Sequence, residues 1–332
     1  MRLHERFMDG RVTGAFPRVT TDETLKLFPR RTGGLRFLLV QAPIRSWSFP
    51  NISPCGQQYV AASAWQDGHD IRILDLNAER GGPVEEDARF WAWVERRLEW
   101  ALDYHAPHVV GYGGIISQFS QIRRLIRLTR MLRPQTKIIL GGGIASCLPK
   151  FMAERLPVDV VVQEEGEVTI SEVLERIETG AGFAGVKGTV YKLPDGQVVD
   201  NGLRPSVKAG AEGLDHLPWP LRALWAEEEI FRKNPVGHIN IVSKWTDGAP
   251  HADTPYSLSL IASRGCPYNS HSCLYCYTAY LGASYRLRSP SEVVDEMAWL
   301  KEHYDVHYLH FLDDLLLCDY RWALAFADEL IR

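Results

Sequence analysis

Five short apolar runs, each followed by a stretch of helical periodicity, set the main limit on how residues 35–182 can fold. The first, residues 35–41 (LRFLLVQ), is almost continuously apolar, as a strand covered on both faces must be. Residues 56–65 read as a helix, which Gly68-His69 closes before a second run at 70–76. Phe90, Trp91, Val94, Leu98, Ala101 and Leu102 recur at helical spacing, and their tryptophans read as core. A third run, 108–111, leads into a helix whose inner stripe is Ile122, Leu125, Ile126 and Met131. The fourth, 137–140, enters Gly141-Gly142-Gly143. The fifth, 158–163, enters Glu164-Glu165-Gly166-Glu167 ahead of a helix over 169–179. Strands alternating with helices in this way predict a doubly wound α/β domain built on a parallel sheet.

The flanks differ. Residues 1–34 are polar and read as an N-terminal extension. Residues 183–255 form a connector, with a β-hairpin at 188–193 and 197–200 across Pro194-Asp195-Gly196 and a Pro-rich piece at Leu217-Pro218-Trp219-Pro220. A second domain begins at 256 with a strand to 262. It continues through a cysteine loop, a helix over 290–303 entered from Ser289-Pro290, a strand at 306–312 and a helix from Tyr320.

A net charge of −4 offers no strong field to nucleic acid or an anionic membrane, so neither is expected as a partner. Arg123, Arg124, Arg127, Arg130 and Arg133 read as one solvated helix face. The first ten residues lack an apolar signal core, and no apolar run reaches the roughly 18 residues that span a bilayer. The expected location is the cytoplasm. There, six cysteines point to metal or redox chemistry more than to disulfides. Cys55, Cys147 and Cys318 are isolated and read as small apolar residues or bystanders.

Cys266, Cys273 and Cys276 lie together on the loop after a strand, with Gly265 and Pro267 shaping the turn. Three thiolates suit soft iron, and on a four-iron cluster they leave one iron open to a chelating substrate. His271 offers a Cys3His zinc shell as an alternative, and Cys273-x-x-Cys276 a redox pair as another.

Ser263-Arg264-Gly265-Cys266-Pro267-Tyr268-Asn269, Cys273-x-Tyr275-Cys276-Tyr277 and Tyr285-Arg286-x-Arg288-Ser289 resemble the signature of radical SAM proteins. The resemblance implies a 4Fe–4S cluster on Cys266, Cys273 and Cys276, with S-adenosyl-L-methionine (SAM) chelating the open iron beside Tyr275. Phe311-Leu312-Asp313-Asp314 is similar to the acidic segment of cobalamin-dependent members, which would turn Asp313 and Asp314 toward the SAM amine. This loop departs from the family's CxxxCxxC pattern, because six residues separate Cys266 from Cys273; it reads as that pattern with Ser270-His271-Ser272 inserted.

Ligands of doubly wound sheets bind beyond the carboxyl ends of the strands, which here means the loops 41–54, 111–118, 141–147 and 163–167. Gly141-Gly142-Gly143 fits a phosphate loop, or equally a tight strand-to-helix turn. The ordered series from Leu38-Leu39-Val40-Gln41-Ala42-Pro43 through Gly56-x-x-Tyr59, Gly68-His69, Asp75, Val110-Gly111, Gly141-Gly142 and Gly166-Glu167 resembles the cobalamin-binding domain that precedes radical SAM domains. The implied fold is a flavodoxin-like domain followed by the opening of a partial (β/α) barrel. The implied cobalamin contacts are Pro43, Gly111, Tyr112, Ser117, Gly141, Gly142, Ser146, Gly166 and Glu167. Cobalt-ligating domains carry Asp-x-His-x-x-Gly after the first strand. Residues 41–54 hold no histidine, and Asp103-x-His105 precedes the wrong strand, so no protein histidine is expected on cobalt.

The function so implied is that of a radical SAM enzyme using the cluster and cobalamin. It would methylate an unreactive centre of a small-molecule substrate and draw electrons from a flavodoxin or ferredoxin. Rearrangement or cyclisation is a variant of the same chemistry. A non-catalytic cobalamin or nucleotide sensor, or a zinc-stabilised binding protein, are the other classes. Only two β/α units fit between 256 and 332, so a truncated or split enzyme, or one completed by a partner chain, is expected.

Overall fold

The computed structural model describes residues 33–44, 46–47, 53–80, 83–208, 210, 213–222, 257–268, 276, 284–304 and 308–332. These divide into two units, the first reaching Arg204 and including 220–222, the second holding 205–219 and the described residues from 257 onward.

The first unit is a seven-stranded sheet in the order β2-β1-β3-β4-β5-β6-β7. Its parallel strands are β1 (Arg36–Gln41), β2 (Asp70–Asp75), β3 (Val109–Gly113), β4 (Lys137–Gly141) and β5 (Val160–Val162). The helices are α1 (Cys55–Gln66), α2 (Leu76–Glu79), α3 (Ala88–His105), α4 (Phe119–Leu132), α5 (Gly142–Cys147), α6 (Pro149–Arg155) and α7 (Glu167–Glu178). The order 2-1-3-4-5 is doubly wound, with its switch point between β1 and β3. β1 is apolar from Phe37 to Val40 because both faces are covered there; Phe37, Leu38 and Val40 have no exposed surface.

Local chemistry sets the helix ends. Asp87 caps α3 by accepting from the Arg89 and Phe90 amides at 2.9 Å each, and the chain leaves that helix at Ala106 with φ of 44°. On α4 the buried stripe is Ile122, Leu125, Ile126 and Thr129. Met131 is 69% exposed, so the expected inner stripe is corrected there: Thr129, not Met131, continues the spacing set by Ile122 and Ile126.

The hairpin, β6 (Thr189–Lys192) and β7 (Val198–Asp200), pairs antiparallel onto β5 and extends this sheet. Read from composition alone it belonged to the connector. Its pairing register, Val161 with Val190 and Val162 with Thr189, makes it an edge of the first unit instead.

The second unit pairs β8 (Ser257–Leu260) parallel with β11 (Tyr308–Phe311), and β9 (Ser263–Arg264) antiparallel with β10 (Arg286–Leu287). Two helices, α8 (Pro290–Tyr304) and α9 (Tyr320–Ile331), pack around Leu260, Ala262, Val293, Trp322 and Phe326. Trp322 and Phe326 stack at 5.0 Å, while Leu324 and Leu330 on the same helix are exposed. Ser289, before α8, gives its backbone N–H and hydroxyl to the Asp215 carboxylate.

Candidate functional site

In the first unit the loops that follow β1, β3, β4 and β5 meet at one edge of the sheet. Glycine dominates the meeting point. Gly142 has φ of +75°, and a Cβ there would lie 3.0 Å from the Gly114 nitrogen and 3.1 Å from its oxygen. A Cβ on Gly114 would in turn fall 2.5 Å from the Gln118 amide oxygen, whereas Gly141 faces open space. Trp47, Ile115, Ile116 and Val168 stand exposed on these loops and at the start of α7. The edge thus combines naked backbone with an apolar rim.

The residues expected to contact cobalamin separate into groups. Pro43 is buried directly after β1, Ser117 is exposed in the turn after β3, and Gly141 and Gly142 sit where β4 gives way to α5. Gly166 precedes α7 with Val60 3.1 Å from the place of its missing Cβ, and Glu167 is buried at the first position of that helix.

Three expected contacts are also engaged within the fold. Gly111 lies within β3, where a Cβ would come within 2.8 Å of both Leu39 and Phe37; it is a packing glycine. Tyr112 points into the core: its hydroxyl meets Thr129 Oγ1 at 2.5 Å and donates to the Leu125 carbonyl, and burial drives its pKa upward. Ser146 donates to the Gly142 carbonyl at 3.2 Å and accepts from the Glu164 amide at 2.8 Å, so its hydroxyl ties two loops together.

Residues outside the expected cobalamin contacts build the loop after β1. Asp75 accepts from the Asn77 and Ala78 amides, and Asn77 Oδ1 accepts from the Ile44 amide at 3.0 Å. Arg80, 1% exposed, donates to the carbonyls of Ile44 and Ser46 and to Asn77. Burial lowers its pKa to about 10, against the opposing pull of Asp75 and Glu86. Gln118, also buried, donates to the Ala42 carbonyl at 3.0 Å. The only sequence sign of either residue was a polar side chain beside a strand end.

The histidines sit elsewhere. His69 Nδ1 accepts from the Leu35 amide and His108 Nδ1 from the Arg36 amide, both at the amino ends of the strands, and His105 ends α3 at that same edge. Among the described residues of this unit, none lies at the carboxyl edge.

In the second unit Cys266 and Cys276 are half-buried, and Gly265 ahead of the first has φ of +79°. Cys273, Tyr275 and His271 lie outside the described residues. Cys55 is buried, as a small apolar residue would be, while Cys318 is exposed. Asp313, an expected SAM contact, is also bonded within the fold: its carboxylate accepts from the Ala262 amide at 3.1 Å, from the Ser263 amide and from the Ser263 hydroxyl at 2.5 Å. Burial raises its pKa and these bonds oppose the rise. It clamps the strand end from which the cysteine loop departs. Asp314 beside it is exposed, and partial desolvation raises its pKa. Arg288 and Glu296 form a buried ion pair at 2.5 Å, and Arg288 also donates to the Ile261 carbonyl at 2.9 Å.

The doubly wound sheet with its glycine-lined carboxyl edge is a flavodoxin-like α/β domain, and residues 49–174 match the B12 binding domain family. Over 302 residues the chain is 27% identical to cytidylyl-2-hydroxyethylphosphonate methyltransferase of Streptomyces wedmorensis, covering 84% of this chain and 53% of that protein. It is 24% identical over 230 residues to the anaerobic magnesium-protoporphyrin IX monomethyl ester cyclase of Rubrivivax gelatinosus, covering 68% and 37% respectively. Among solved structures, the radical S-adenosylmethionine methyltransferase TsrM from Kitasatospora setae, with cobalamin and a [4Fe-4S] cluster bound, superposes with a TM-score of 0.64 at 19% identity. That superposition covers 90% of this chain and 53% of TsrM. The chain therefore spans about half the length of the first of these relatives, or less. The B12-binding match and these relatives together support a cobalamin-binding radical SAM family for the chain.

Proposed function

We propose that this chain is the cobalamin- and cluster-binding part of a radical SAM enzyme that methylates an unreactive centre of a small molecule. The observation that carries the reading is the carboxyl edge of the first sheet. A broad, flat, largely apolar macrocycle needs close backbone approach and apolar cover, and the glycines at 114, 141 and 142 with Ile115, Ile116 and Trp47 offer both. With every described histidine of the unit at the opposite edge, cobalt would receive no imidazole from this domain. The donor set of Cys266, Cys273 and Cys276 fits a 4Fe–4S cluster, since three thiolates leave one iron for SAM.

When bound, the cluster and SAM supply a radical, and the cobalamin supplies a methyl group. The chain's own residues have positioning tasks. Asp313 holds Ala262 and Ser263 so that the loop departs at a fixed point, and Gly265 turns the chain toward Cys266. Arg80 and Asn77 hold the backbone of Ile44 and Ser46 beside the proposed cobalamin edge. Tyr275, Asp313 and Asp314 remain the proposed SAM contacts.

A small-molecule substrate, a flavodoxin- or ferredoxin-like reductant, a partner that completes the barrel and a cytoplasmic location belong to the same proposal. No helix of the described residues is long and apolar enough to cross a membrane. Cyclisation in place of methylation is the second reading, supported by the cyclase among the relatives. The test is anaerobic purification with iron, sulfide, zinc and cobalt measured together. Four irons and four sulfides per chain with bound cobalamin are expected; zinc without sulfide would refute the reading.

A further inference from the structure

The four loops at the carboxyl edge of the first sheet are joined by one unbroken run of hydrogen bonds. Gln118 Nε2 donates to the Ala42 carbonyl in the loop after β1, and its Oε1 accepts from the Ile115 amide in the loop after β3 at 3.1 Å. The Gly114 carbonyl, next to Ile115, accepts from the Ile144 amide at 2.9 Å, which brings in the segment after β4. Two residues on, Ser146 accepts from the Glu164 amide in the loop after β5. Glu164 has φ of +55°, a conformation costly for a side chain with a Cβ, so this last loop is held against its own preference. Each junction is a single bond or a single side chain, and the two side chains are Gln118 and Ser146.

We infer that Gln118 and Ser146 are positioning residues that lace these loops into one pre-organised floor for the cobalamin. The inference rests on the cobalamin reading above. Ligand affinity falls when loops must be ordered at the moment of binding. A laced floor behaves as one unit, so cutting it at either end releases loops at the other. Gln118 joins the two loops at the switch point, where ligands of such sheets sit, and Ser146 secures the strained far end.

The test uses the full chain with Gln118→Met, Ser146→Ala and both together. Hydroxocobalamin affinity is followed by absorbance titration, and hydrogen–deuterium exchange is measured without cofactor. Each single substitution is expected to weaken binding about tenfold, and the pair no more than about tenfold in total, well short of the about hundredfold that independent sites would give. Ser146→Ala should also speed exchange in residues 42–47 and 113–118, which it does not touch. Exchange changes confined to 142–167, or affinity losses that multiply, would overturn the lacing. Should Gln118→Met fail to fold, remote exchange in Ser146→Ala decides alone. A wild-type chain that binds no hydroxocobalamin sinks the functional reading and this inference together; a wild-type chain that binds it, with variants of equal affinity, sinks this inference only.

Discussion

Replacing Glu296 by Met should destabilise the second unit by about 3–5 kcal/mol, the range for stranding one member of a buried ion pair. The figure follows from the surroundings. Glu296 has a fully buried side chain and Arg288 exposes 6% of its own, so water cannot take up the charge that remains. The Ile261 and Glu292 carbonyls, which accept from the guanidinium at 2.9 and 3.3 Å, are dipoles and do not replace a carboxylate. An exposed pair of the same length would be worth about 1 kcal/mol or less. Removing both charges as Arg288→Met with Glu296→Met should recover more than half of the loss, because the desolvation cost disappears along with the attraction. Chemical denaturation can report this through near-ultraviolet circular dichroism of Trp322, whose indole N–H donates to the Arg288 carbonyl at 2.6 Å. A single-variant cost under about 1 kcal/mol, or a double variant as unstable as the sum of the singles, would refute the argument.

Gly142→Ala should cost about 2–3 kcal/mol, about half from the left-handed backbone and the rest from the contact with Gly114, and should abolish hydroxocobalamin binding; an unshifted melting temperature would count against it. Asp313→Ala removes the acceptor for two amides and a hydroxyl, so iron retained after anaerobic reconstitution should fall several-fold, while Asp313→Asn should retain more. If Asp313 served SAM alone, iron content would stay at the wild-type level. Burial holds His105 down to about 4 from an ordinary 6.5, with Asp70 opposing. The unfolded chain accordingly takes a proton near pH 6.5 that the folded chain refuses until about pH 4. Stability should drop by about 3 kcal/mol as pH falls through that window, and His105→Gln should flatten the profile.

The parallel strands were legible because burial on both faces forces an apolar run that little else in a sequence imitates. β1 and β4 fall within a residue of where LRFLLVQ and KIIL place them. The second sheet was less legible: β9 and β10 are two residues each and have no period to detect. Met131 was misplaced because an apolar side chain beside a helical stripe resembles a member of it, and only the direction of the Cα–Cβ bond separates the two.

At the candidate site, sequence located loops better than it assigned side chains. Gly142 was visible because a glycine after a strand has few other reasons to be there, and the positive φ and the Gly114 contact supply the reason. Tyr112 and Ser146 have the polar groups a ligand would want, yet the fold uses both hydroxyls internally. Gln118 and Arg80 escaped notice for the converse reason. Their amide and guanidinium are directed at backbone carbonyls 76 and 36 residues away, and no local pattern encodes a partner at that separation. A buried polar side chain at a strand end must find such partners or forfeit its hydration, so the residues that hold a binding loop are legible only once the loops themselves have been brought together.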